Sequence, residues 1–204
     1  MSNPQHTRQA YGITSLTSRH PDLRRLKKAQ DPSLHGNKLW GSCYLLMEYL
    51  EKNPLERGCK VLDLGCGWGL GGIYCAKKFG ATVTGVDADP AVFPFLKLLA
   101  EHNQVILQTL VKPFEQISTE ELAHYDVIIG ADICFWDELA DTVYRLIERG
   151  IKAGAGRIIV TDPQRPPFTA MAERCVDRHY ADLLPIETKT PRRFTGSVLV
   201  IENS

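Results

Sequence analysis

Several things are missing from this sequence, and each absence removes a class of protein. No C-x-x-C pair and no H-x-x-x-H spacing occurs, so neither a zinc frame nor a metalloprotease helix is expected. The six cysteines, Cys43, Cys59, Cys66, Cys75, Cys134 and Cys175, are scattered among apolar neighbours and read as reduced packing residues. The histidines show no ligand spacing either, and no metal is predicted. Net charge is also lacking: 24 basic residues balance 24 acidic ones, which gives no electrostatic case for a nucleic-acid or membrane partner. No apolar run approaches the roughly 18 to 20 residues of a membrane span. The opening MSNPQHTRQAYGITS has no apolar core resembling a signal peptide, so the expectation is a cytoplasmic protein.

What is present is enough for one domain. At 204 residues and 44% hydrophobic content the chain can bury a sizeable core. Residues 1–18 are polar and unpatterned and are expected to form a loose tail, leaving a single domain over 19–204. HPDLRRLKKAQ, 20–30, places Leu23 and Leu26 among Arg24, Arg25, Lys27 and Lys28. It is either a short solvated helix or a basic patch for RNA or an acidic protein, and neutral overall charge favours the helix. A better helix spans 35–52, with Asn37 as its cap and Trp40 in its first turn, where Trp40 either packs or lines a pocket. From Lys60 onward strands and helices alternate. Two last runs, 183–188 and 197–202, are placed to pair antiparallel across PRRFTG. The predicted fold is α/β: a doubly wound, mostly parallel sheet with an antiparallel strand at one edge.

The chemistry concentrates in KVLDLGCGWGLGGIYCAKKFGATVTGVDAD, 60–89. A strand ending on Asp63 turns into glycines, passes through a helix and returns as a strand ending on Asp87, which is a nucleotide-binding βαβ unit. Two cofactors compete. GWGLGG, from Gly67, satisfies G-x-G-x-x-G and suits a dinucleotide diphosphate on a helix N-terminus. DLGCGWG, from Asp63, is D-x-G-x-G-x-G and looks like motif I of class I S-adenosylmethionine-dependent methyltransferases. An anion at the strand end would repel a diphosphate and suit a cationic sulfonium, so Asp63 favours S-adenosylmethionine. Asp87 is placed to accept the ribose hydroxyls.

Trp40, the glycine stretch, a helix ending EHN and YDVIIGADICF together resemble the family-16 class I methyltransferases, the group that includes calmodulin-lysine and electron-transfer-flavoprotein lysine methyltransferases. The resemblance covers roughly 37–170. D-x-x-F at Asp132 to Phe135 matches that group's D/E-x-x-Y/F, and DPQRPPF, 162–168, is similar to its DPGRP-like segment. The usual Asp-Trp pair after the third strand is replaced by Lys112-Pro113-Phe114. The resemblance implies a seven-stranded sheet with Asp63, Gly65 and Gly67 along the methionine part of the cofactor, Asp87 on the ribose and Phe114 against adenine. It also implies that Gly130, Ala131 and Asp132 close the pocket near the methyl. Asp132 is either a helix cap or the holder of a substrate amine. Phe135 and Trp136 either belong to the core or wall a cationic amine. The substrate implied is a protein lysine; a small molecule is the alternative, an RNA a further one, and an NAD-dependent oxidoreductase or a non-catalytic nucleotide-binding module are the readings of another class.

Overall fold

Short apolar runs on the central strands, whose successive side chains point to opposite faces, decide the architecture. The computed structural model describes residues 6–32 and 35–203. Its main sheet contains β3 (Lys60–Leu64), β4 (Thr82–Asp87), β5 (Gln108–Val111), β6 (Val127–Ala131), β7 (Arg157–Asp162), β8 (Asp182–Thr188) and β9 (Phe194–Glu202) in the order β5-β4-β3-β6-β7-β9-β8. Val61, Val83, Ile129, Ile159 and Val200 face one core, whereas Leu62, Val86, Ile128, Ile158 and Leu199 face the other. Helices α2 (Ser42–Lys52), α3 (Leu70–Phe79) and α4 (Phe93–Asn103) cover the first face, and α5 (Thr119–Leu122), α6 (Asp137–Ala153) and α7 (Pro166–His179) the second. The expected seven-stranded, mostly parallel sheet is therefore present. Its antiparallel strand is β9, which lies between β7 and the edge strand β8 and runs against both.

The helix ends follow local chemistry. Gly80 closes α3 at φ +65, and the Ser118 and Glu121 capping box starts α5. The start of α2 corrects the sequence reading. Asn37 does not cap it, because the helix begins at Ser42 and Trp40 lies in the loop before it. The Ser42 amide instead donates to Asp132 at the end of β6, at 2.9 Å. A carboxylate from another element thus takes the place of a local cap.

A second correction concerns the segment expected to be a loose tail. β1 (Thr7–Ala10) and β2 (Ile13–Leu16) form an antiparallel hairpin around Tyr11 and Gly12, both at positive φ. Two left-handed residues give the turn that matches strand twist. Ala10, Ile13 and Leu16 are buried, and Asn103 of α4 receives the Thr14 amide at 2.8 Å. Residues 1–5 of that segment lie outside the described residues. The basic run forms α1 (Pro21–Ala29), with Leu23 buried.

Among the parallel strands the sheet order reverses once. From β3 the chain passes outward to β4 and β5, then crosses back to β6 on the other side. Strands diverging from a shared neighbour leave a crevice at their carboxyl ends, which is where open α/β sheets bind ligands.

Candidate active site

That crevice holds a cleft of about 330 Å³, within the usual range for small-molecule sites. Every strand flanking the switch point contributes its C-terminal loop: Gly65 to Gly67 after β3, Asp87 and Ala88 after β4, Pro113 and Phe114 after β5, Ala131 to Ile133 after β6. Gly65, Gly67 and Gly69 all have positive φ. Only glycine takes that alternation without strain. At Gly65 a Cβ would also lie 2.9 Å from Ile133 Cγ2 and 3.3 Å from Phe114 Cζ, so the missing side chain lets those two residues close over the loop.

Asp87 ties the glycine loop to β4. Its Oδ2 accepts from the Gly67 amide at 3.0 Å and its Oδ1 from the Asp89 amide at 3.0 Å. Each oxygen retains a second lone pair, so a ribose diol has acceptors there. Burial pushes the Asp87 carboxyl above its ordinary value, and the two amides oppose this.

Eight of the ten sequence-derived site residues line this one cleft: Trp40, Gly65, Gly67, Asp87, Phe114, Ala131, Asp132 and Phe135. Asp63 and Gly130 are not part of its lining. The Asp63 Oδ2 accepts from the Gly72 amide in the first turn of α3, at 2.9 Å. Burial lifts its carboxyl to about 7. The sequence argument turns this charge toward a sulfonium; the fold uses it to hold the glycine loop's helix against β3. Gly130 makes room for Ile133, whose Cδ1 would lie 2.6 Å from a Cβ there.

One end of the cleft is aromatic. His35 stacks on Phe135 at 4.1 Å, Trp40 lies 5.1 Å from Phe135, and Trp136 lies 5.5 Å from His35. Trp136 is 45% exposed, so it forms a rim and not core. Two indole N–H groups hold the loop that carries this wall: Trp40 Nε1 donates to the His35 carbonyl and Trp68 Nε1 to the Gly36 carbonyl, each at 2.8 Å.

Asp132 stands at the foot of the wall, buried and at φ +60. It caps α2 and not α6, the helix that follows it. Its Oδ1 pairs with Arg165 at 2.7 Å, and Arg165 also binds Asp162 at the end of β7 at 2.5 Å. Burial raises Asp162 to about 6, against the pull of Arg165. The Arg165 guanidinium lies 4.6 Å from the Phe135 ring centroid and 5.5 Å from that of Trp40. A cation of the protein's own therefore already lies against this wall. Sequence reasoning gave no role to Arg165 or His35. The DPQRPPF segment carried the signal for Arg165, while nothing in the sequence pairs His35 with Phe135.

Cys66 lines the cleft, but burial pushes its thiol well up, which leaves it a packing group and not a nucleophile. The fold does gather His20, Asp22 and His102, three possible metal ligands whose atoms lie within 4.8 Å of one another. None of the three lines the cleft.

Comparison with known proteins agrees with this geometry. Residues 61–156 match the methyltransferase domain family. The electron transfer flavoprotein beta subunit lysine methyltransferase of Xenopus laevis is 29% identical over 132 residues, which are 64% of this chain and 53% of that protein. Phosphoethanolamine N-methyltransferase 1 of Arabidopsis thaliana is 33% identical over 131 residues, 62% of this chain and 25% of that protein. The chain thus spans about half the length of the first of these relatives and a quarter of the second. A 16S rRNA methyltransferase of T. thermophilus, solved in complex with AdoMet and guanosine, shares the fold with a TM-score of 0.63 at 20% identity, covering 94% of this chain and 47% of that one. No helix among the described residues is long and apolar enough to cross a membrane. Residues 61–156 are accordingly similar to the methyltransferase domain family, and the fold around them is one that solved methyltransferases share.

Proposed function

We propose that this chain transfers the methyl group of S-adenosylmethionine to the side-chain amine of a protein lysine. The observation that carries the reading is the aromatic wall of His35, Trp40, Phe135 and Trp136, which adjoins the glycine loop inside one cleft and has Asp132 at its foot. The cofactor, when bound, supplies a methyl on a sulfonium whose loss leaves a neutral thioether. The chain's residues then have to hold it and to align an amine. Asp87 takes the ribose hydroxyls, the backbone at Gly65 and Gly67 follows the methionine part, Phe114 lies against adenine, and Ala131 closes the cleft beside the methyl.

An amine attacks only without its extra proton. The wall strips water from it, and desolvation lowers an amine's pKa by disfavouring the charged form. Asp132 lines the cleft and has a spare lone pair on each oxygen, so it accepts an amine N–H and fixes its direction. Alignment of this kind supplies several kcal/mol, roughly 7 to 11 at the upper limit, so no catalytic triad is required.

The lysine methyltransferase of Xenopus laevis supports this acceptor, and the phosphoethanolamine N-methyltransferase of Arabidopsis thaliana supports a small amine as the second reading. Incubation with labelled S-adenosylmethionine and a demethylated whole-cell extract, separated into protein, RNA and small molecules, tests the choice. Label in protein that hydrolyses to methyllysine is expected. Label confined to RNA or to small molecules would overturn it.

A further inference from the structure

A second cleft, of about 260 Å³, adjoins the first and shares Lys38, Leu39, Trp40 and Trp68 with it. Four cations line it: Arg8 of β1, Lys27 of α1, Lys38 in the loop before α2 and Arg192 in the β8–β9 loop. No acid does. In a chain whose 24 basic and 24 acidic residues balance, four to none is a segregated charge.

These cations are also held without being neutralised. Among the described residues none of the four has a carboxylate in salt-bridge contact, whereas nearby Arg25 pairs with Asp22 at 2.5 Å and Arg193 with Glu187 at 2.7 Å. Aromatic faces hold three of them instead: Lys38 Nζ is 3.9 Å from the Trp40 centroid, Lys27 Nζ 5.3 Å from Trp68, and the Arg192 guanidinium 4.8 Å from Phe194. A ring quadrupole fixes a cation in place but leaves its charge available to a ligand.

We infer that this basic cleft is the docking site for acidic residues that flank the methylated lysine, an inference that rests on the lysine reading above. The cations come from four separate segments, which suits several carboxylates spaced along an extended chain better than one phosphate gathered at a single point. The rings argue against RNA, which needs aromatic faces for its bases. Trp68 is stacked on Phe95 and faces Lys27, Phe194 is stacked on Tyr44 and faces Arg192, and Trp40 faces both Lys38 and Arg165.

The test uses a fluorescein-labelled peptide with one lysine between Asp and Glu residues, and its counterpart with Gln and Asn at those positions, each titrated with the full chain in the presence of S-adenosylhomocysteine. The variant is Arg8→Gln with Arg192→Gln, neither of which lines the cofactor cleft. The acidic peptide is expected to bind roughly tenfold tighter than the neutral one, to weaken with salt, and to lose that advantage in the variant while S-adenosylhomocysteine affinity stays the same. Equal affinity for the two peptides, or an advantage that survives in the variant, overturns the docking site. Phosphoethanolamine or a uridine oligoribonucleotide displacing the acidic peptide, where the Gln peptide does not, overturns it in favour of those ligands. The same samples, supplied with S-adenosylmethionine, separate the two claims. Tight acidic binding without methyllysine keeps the docking site and removes the lysine reading; methyllysine formed at equal KM on both peptides does the reverse.

Discussion

Asp132 and Arg165 meet at 2.7 Å across the ends of two neighbouring strands, one side chain 3% exposed and the other 22%. The pair joins three elements, because Asp132 also caps α2 and Arg165 also binds Asp162. The aromatic wall is built on this joint.

Removing one partner should therefore show in stability as well as in turnover. Asp132→Ala uncaps α2 and leaves Arg165, which is 22% exposed, with Asp162 as its one carboxylate partner, so the loss should be about 1 to 3 kcal/mol. Asp132→Asn keeps an acceptor for Ser42 and should cost less. Both should lower turnover far more than S-adenosylhomocysteine affinity, read by denaturant unfolding, calorimetry and rate measurement side by side. Unchanged turnover in Asp132→Asn would take the carboxylate out of the chemistry.

The glycine loop makes a graded prediction. Gly65→Ala and Gly67→Ala both force an L-residue into left-handed backbone, at roughly 1 to 2 kcal/mol. The Gly65 substitution also drives a Cβ against Ile133 and Phe114, while the nearest atom to a Gly67 Cβ is the Gly65 carbonyl oxygen at 4.0 Å. Melting temperature should fall further for Gly65→Ala. Equal losses would mean that the contacts with Ile133 and Phe114 relax freely.

Stability should decline as pH rises through neutrality, and Asp63 is the first cause. Burial lifts it to about 7, whereas an unfolded Asp titrates near about 3.9. Between those values the folded state holds the proton that the unfolded state has released. Its contribution is thus complete below about 4 and lost as pH passes about 7. Asp162, raised to about 6, acts in the same direction. Asp63→Asn, which keeps an acceptor for Gly72 without a charge, should gain on the parent chain as pH rises from about 5 to 8 in melting curves. Parallel curves would contradict the assignment.

Trp136 separates acceptor from cofactor. Because it is 45% exposed, Trp136→Ala should cost about 1 to 2 kcal/mol, less than truncation of a fully buried aromatic. S-adenosylhomocysteine affinity should hold while KM for the acceptor rises. A loss of cofactor affinity with unchanged KM would move Trp136 to the other end of the cleft.

The sheet and most of the cleft were legible because their signals are local. Buried strands read as short apolar runs, the glycine turn requires its glycines, and an acid ends β4 at the edge of the cleft. What escaped is non-local. Asp132 caps a helix that begins 90 residues earlier in the chain, and no spacing rule reports that. The β1–β2 hairpin is short and polar on one side, and its turn is Tyr11-Gly12 in place of the usual Asn-Gly, so composition reads it as tail. Asp63 shows the same limit: the motif draws attention to the residue, but a linear pattern does not say that its carboxylate meets the Gly72 amide. Arg165 lay within a motif that contains one of its two acids, Asp162, but the other, Asp132, comes from the neighbouring strand.

The most direct measurement is a calorimetric titration of the purified chain with S-adenosylhomocysteine, repeated on Asp87→Ala. One-site saturation is predicted for the parent chain. Loss of the charged acceptor should weaken it roughly 10- to 100-fold, the equivalent of about 1.5 to 3 kcal/mol. No heat with S-adenosylhomocysteine, together with saturation by a reduced nicotinamide coenzyme, would contradict the account at its root.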